Sequence, residues 1–138
     1  MRQASRELTI ETPSQGLHDI TELVVTWAVR TRIDTGLLTL FVRHTSASLL
    51  VQENASMAAQ RDIERYFARL VQENAAYEHD EEGPDDMPAH LRAALTATSL
   101  SIPVADGRPV LGRWQGIYLF EHRTAPHRRR VALHLIGL

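Results

Sequence analysis

Seven histidines and no cysteine set the chemistry open to this chain. His44, His79 and His90 each fall at an expected element boundary beside small or acidic residues. Neutral imidazole is the commonest protein ligand for a transition metal, and three that leave one position open make a catalytic zinc-type site. No compact motif such as His-Glu-x-x-His joins them, so the other reading of each is a capping or surface histidine. The acids Asp80, Asp85 and Asp86 would orient imidazoles and favour a cation. His44 also opens a polar island, His44-Thr45-Ser46-Ala47-Ser48, that lacks the usual turn formers. Such an island is either a solvated turn or the wall of a reactive pocket. Ser46 beside His44 raises a hydrolase reading, but no oriented acid or glycine-rich nucleophile turn accompanies it.

Two further groups could bind a ligand. Glu121 to Arg130 holds Arg123, Arg128, Arg129 and Arg130 around Pro126, and guanidinium grips phosphate or carboxylate bidentately. The other reading is a solubilising hairpin tip, or an interface with the acidic segment 73–86 of a neighbouring subunit. In Gly112-Arg113-Trp114-Gln115-Gly116, Trp114 offers a flat apolar wall and Gln115 an amide; a core tryptophan between glycines is the alternative.

Composition narrows the field. A chain of 138 residues fits one domain, residues 1–138, with a proper core. A net charge of −2 argues against general nucleic-acid binding. The missing cysteines exclude disulfides, thiolate metal sites and a cysteine nucleophile. No signal-like stretch or bilayer-length apolar run is visible, so a cytoplasmic protein with no membrane partner is expected.

The elements that must position these groups follow from periodicity. Glu7 to Thr12 alternates as a strand, and Pro13 to Gly16 breaks it. Asp19 is a helix N-cap before Ile20, Leu23, Val24, Trp27 and Ala28. A strand ends at His44, and Leu49 to Val51 continues beyond the island. From Ser56 a helix carries the stripe Ile63, Tyr66, Phe67, Leu70 and Val71, expected to face the core. The segment 73–86 is a solvated acidic loop, followed by a short helix with Pro88 in its first turn. Strands are expected at Leu100 to Val104, at about Val110 to Glu121, and at Arg130 to Ile136, with Asp106-Gly107 as a hairpin turn. The sum is an α+β domain, mostly antiparallel sheet with two or three helices.

Several of these stretches, in this order, resemble the YjbQ family, also called uncharacterised protein family 0047. His44-Thr45-Ser46-Ala47 resembles its His-Thr-Ser-Ala signature, and Glu53-Asn54 its Asn-Glu-Asn segment with Gln52 in place of the first Asn. Tyr77 to Asp80, Asp85 to His90, Trp114 to Ile117 and Glu121 to Arg123 resemble later blocks, with Arg113 where a Thr is usual. The resemblance implies a sandwich-like β-sheet, a homotrimer, and a secondary thiamine-phosphate synthase activity joining a pyrimidine diphosphate to a thiazole phosphate.

Taken together, these features give an expected site. His44, Ser46 and Glu121 are the catalytic set, and His44, His79 and His90 hold a divalent metal. Thr45, Asn54, Asp86, Trp114, Gln115, Arg128, Arg129 and Arg130 bind a small phosphate-bearing anion. Imidazole donors suit zinc or another transition metal better than magnesium, which prefers oxygen. The competing expectation is a non-catalytic trimeric module that sequesters a small anionic metabolite.

Overall fold

The computed structural model describes residues 1–138. Along the chain lie β1 (Arg2–Thr12), β2 (Gly16–Asp19), α1 (Thr21–Arg30), β3 (Gly36–Val42), β4 (Ala47–Glu53), α2 (Met57–Leu70), α3 (Asp86–Leu95), β5 (Ser99–Ala105), β6 (Arg108–Pro109), β7 (Gln115–Glu121) and β8 (His127–Gly137). The strands form a five-stranded sheet, β1-β8-β3-β5-β6, and a three-stranded sheet, β2-β7-β4. Every pairing is antiparallel, so the α+β expectation holds.

Alternation explains the larger sheet. Leu38, Leu40 and Val42 of β3 face inward opposite Leu135, Leu133 and Val131 of β8. Against this face pack Ala47 and Leu49 of β4, Ile117 and Leu119 of β7, and Val24 and Ala28 of α1. Each fully buried Leu or Ile contributes about 1.5–3 kcal/mol. β7 is apolar on both faces because its sheet is covered twice: Ile117 and Leu119 face the sandwich, while Phe120 meets Phe67 of α2 edge-on at 5.3 Å.

Several elements depart from their expected bounds. β1 starts at Arg2 because its whole length pairs with β8, from Arg2 opposite Gly137 to Thr12 opposite His127. β2 has no local signal and forms only because β7 offers an edge. α1 starts at Thr21, and Asp19 caps it from outside, its Oδ1 accepting from the Thr21 amide at 2.9 Å and hydroxyl at 2.6 Å. β7 is shorter than expected: Gly112 to Trp114 form a turn closed by the Gln115 amide on the Gly112 carbonyl, 3.0 Å. β8 begins at His127, which places all three consecutive arginines inside a strand.

Of the α2 stripe only Val71, just past the helix end, is buried, and Phe67 packs on Phe120. Ser56 caps the helix as its sequence suggests, its Oγ accepting from the Ala59 amide. Yet Met57, Tyr66 and Leu70 are 70%, 53% and 52% exposed, and no residue of α2 is fully buried. The helix lies on the outside of a three-stranded sheet too narrow to cover its whole apolar face. Leu133→Ala should therefore cost about 2–5 kcal/mol, while Tyr66→Ser and Leu70→Ser should each stay within about 0.5 kcal/mol. Urea unfolding checks this, and equal costs would mean that the α2 face is covered in solution.

Candidate metal centre

α3 begins at Asp86, two residues before Pro88, and this start decides the geometry. It sets Asp86 and His90 four residues apart on one helical face. The preceding loop folds back and brings His79 and Glu82 to the same face. One ligand atom from each of His79, Glu82, Asp86 and His90 lies within 4.8 Å of the others. Asp86 Oδ2 stands 2.7 Å from His79 Nε2 and 3.1 Å from His90 Nε2, and Glu82 Oε2 is 3.3 Å from His79 Nε2.

The surroundings orient these groups as metal ligands need. His90 Nδ1 donates to the Thr45 carbonyl at 3.0 Å, which leaves Nε2 with a lone pair. Asp86 Oδ1 accepts from Arg123 Nη1 at 2.7 Å, which leaves Oδ2 free for the centre. Burial alone would raise the Asp86 carboxyl, but the His79 hydrogen bond and the Arg123 charge help to hold it below the usual carboxylate range. The hydrogen bond to Asp86 likewise raises His79 above the usual imidazole value. Two imidazoles and two carboxylates form a donor set suited to a transition metal such as zinc rather than magnesium.

Arg123 ties the centre to the sandwich. Its Nε reaches Asp85 Oδ2 at 3.0 Å, and Asp85 also accepts from the Thr124 amide at 2.9 Å. Its own amide donates to Glu121 Oε2 at 3.0 Å. Glu121 has no exposure and accepts from Arg129 and the Thr12 hydroxyl.

The expected site residues do not all meet here. His79, His90 and Asp86 converge, and Thr45 touches the centre through its carbonyl. His44 does not join them: its Nε2 accepts from the Arg130 amide at 2.8 Å, in the bend after β3. Burial first, then the charge of Arg129, lowers its pKa. Ser46 and Glu121, expected to react, lie inside, with Ser46 Oγ held by Arg129 Nη2 at 3.0 Å. Arg128, Arg129 and Arg130 form no anion cradle, because strand alternation turns Arg129 inward to Glu121 and its neighbours outward. Within the chain, Arg128 pairs with Glu11 at 2.8 Å, and Arg130 Nε lies 3.8 Å from Glu7, so both lie along β1.

Asn54, Trp114 and Gln115 gather elsewhere. The Asn54 amide donates to the Arg113 and Gln115 carbonyls, and the Arg113 guanidinium stacks 4.8 Å from the Trp114 ring. Gln115 and Glu121 are the two ends of β7, about 20 Å apart at strand rise. Glu82 was absent from the expected set, although its i, i+3 spacing from His79 and the i, i+4 spacing of Asp86 and His90 were readable.

The family model described as UPF0047 protein YjbQ-like matches residues 6–138. A UPF0047 protein of Synechocystis is 47% identical over 137 residues, covering 99% of this chain and 93% of its own. The UPF0047 protein YjbQ of Escherichia coli O157:H7 is 44% identical over 133 residues, covering 96% of each chain. The crystal structure of a YbjQ-like protein of unknown function from Sulfolobus solfataricus superimposes with a TM-score of 0.87 at 23% identity, covering 99% of this chain and 100% of that one. No helix of the chain is long and apolar enough to cross a membrane.

Next to the Glu121 pair, His122 is fully buried, with Nε2 2.8 Å from Ser48 Oγ. Burial foremost, then Arg92, lowers its pKa from the ordinary 6.5 to about 3. For Glu121, the hydrogen bonds from Arg129, Thr12 and the Arg123 amide outweigh burial and lower it too. Both groups bind protons more readily when unfolded. The stability from His122 is therefore complete above pH 6.5 and is lost between about 6.5 and 3, and that from Glu121 is lost below the ordinary carboxylate range. The unfolding free energy should fall with acid, by about 1.4 kcal/mol per pH unit for each proton involved. Urea titrations should show this slope between pH 6 and 4.5 in the wild type and its flattening in His122→Gln. A flat wild-type profile would contradict a neutral buried His122.

Proposed function

The chain belongs to the UPF0047 YjbQ-like family, and on that premise we propose that it acts on a small phosphate-bearing molecule through a divalent transition metal held by His79, Glu82, Asp86 and His90. The observation that carries the proposal is the convergence of four ligand atoms within 4.8 Å, with His90 and Asp86 each fixed from behind by Thr45 and Arg123. When bound, such an ion supplies a Lewis acid for a phosphate or diphosphate oxygen. Asp86 stays ionised through its partners, Arg123 fixes which of its oxygens faces the centre, and exposed Thr45 is the nearby hydroxyl-bearing residue for the ligand's polar end.

The secondary thiamine-phosphate synthase reaction implied by the resemblance is the enzymatic form of this reading. The bond to pyrophosphate breaks as the bond to the thiazole phosphate forms, and the departing charge calls for a cation. A second reading, a trimer that holds the same anion without turnover, is favoured by the burial of Ser46 and Glu121, whose polar atoms are already engaged.

Elemental analysis of protein purified without a histidine tag should find about one divalent transition metal per chain. His79→Ala, His90→Ala and Asp86→Asn should each lose most of it, and His44→Ala should keep it. Full metal in the His79 and His90 variants would overturn the assignment. Affinity should fall as pH drops through the imidazole range, since a protonated ring has no lone pair to give. Pyrophosphate release from the two thiamine precursors, abolished in His90→Ala, would identify the enzyme; metal-dependent anion binding without release would identify the module. Light scattering should give a trimer in either case, and a concentration-independent monomer would remove the assembly from this reading.

A further inference from the structure

The four donors of the metal centre are not held alike. The Asp86 side chain is only 4% exposed, and Arg123 fixes its second oxygen at 2.7 Å. His90 is braced through Nδ1 by the Thr45 carbonyl, and His79 Nε2 lies against Asp86 Oδ2 at 2.7 Å. The Glu82 side chain is 64% exposed, and its carboxylate approaches His79 Nε2 at 3.3 Å without accepting a hydrogen bond from any group outside the centre. Its main chain is the opposite case: the Glu82 carbonyl accepts from Arg123 Nη2 at 2.8 Å. The side chain is therefore free to turn into solvent while the backbone that carries it stays tied to Arg123.

Charge decides which donor yields to a ligand. The carboxylates of Asp86 and Glu82 together cancel the charge of a divalent ion, and Arg123, which touches Asp86, also serves Asp85. A centre neutralised in this way attracts an incoming phosphate weakly. Loss of an imidazole would leave that charge unchanged, and Asp86 is buried and braced. Departure of Glu82 is the change that uncovers positive charge at the ion. We propose that Glu82 is the exchangeable ligand of the centre: it closes the site at rest, and an oxygen of the phosphate-bearing molecule takes its place. This rests on the metal reading above and adds to it the way the ligand enters. The exchange leaves His79, Asp86 and His90 around one open position, the arrangement of catalytic rather than structural sites. It also selects among ligands, because a neutral molecule brings no charge with which to compete against a carboxylate.

The test loads the full chain with cobalt(II), whose visible absorption reports its ligands, and titrates it with inorganic phosphate. Phosphate should shift the wild-type bands saturably. Glu82→Gln should still bind about one cobalt per chain, with affinity lowered no more than about tenfold. It should bind phosphate at least about tenfold more tightly than the wild type, because no carboxylate competes. A wild type that takes up no cobalt would overturn the metal reading and this inference together. Cobalt bands unmoved by phosphate, or phosphate binding no tighter in Glu82→Gln, would overturn the exchange and leave the centre standing. Loss of cobalt from Glu82→Gln to the level of His90→Ala would overturn it too, since Glu82 would then be a fixed ligand.

Discussion

The interior ion pair between Glu121 and Arg129 is the constraint on which the two sheets and the candidate centre both depend. Glu121 ends β7 in the smaller sheet, and Arg129 sits in β8 in the larger one. A carboxylate with no exposure is tolerable only when its oxygens are fully engaged. Here Oε1 accepts from Thr12 and Arg129, and Oε2 from Arg129 and the Arg123 amide. Thr12 belongs to β1, and Arg129 also reaches Ser46 just before β4, so one carboxylate joins four segments. Its bond to the Arg123 amide passes that order outward to Asp85 and Asp86. The centre is thus held by a rigid interior although His79 reaches it from a loop.

Asp85 and Asp86 show how adjacent identical residues take different work from backbone direction alone. Asp85 turns to the Thr124 amide and Arg123, closing the loop after β7 onto the start of α3. Asp86 divides its oxygens between Arg123 and the two imidazoles. Arg123 bridges both acids, and its single positive charge favours the ionised form of each carboxylate although the two stand side by side.

Sequence reading reached what local physics decides. Alternation found β3, β5 and the core of β8, Ser56 announced α2, and His79 and His90 stood out beside acids at element boundaries. It failed where a tertiary partner decides. β2 exists because β7 has a free edge. The α2 stripe has full helical periodicity but too little sheet beneath it, which periodicity cannot report. The three arginines read as a cluster because β8 was expected to start at Arg130; three residues more of strand convert the cluster into alternation. His44 shared the chemistry of the other two histidines but not their position, since it follows β3 at the edge of β8, where its ring accepts from the Arg130 amide.

The placement of β8 has a consequence for how this chain reaches its fold. β8 is the last strand in sequence, yet it lies between β1 and β3 and pairs with both. Arg2 of β1 waits for Gly137, so β1 finds its only sheet neighbour in the strand farthest from it along this sequence. Such pairing closes the largest loop the chain contains, and non-local closure of this kind slows folding. Until β8 emerges, β3 has β5 on one side and an open edge on the other, with Leu38 and Leu40 uncovered. The nascent chain is therefore most exposed to aggregation late in synthesis, when nearly all of its core residues are present and the strand that unites them is not.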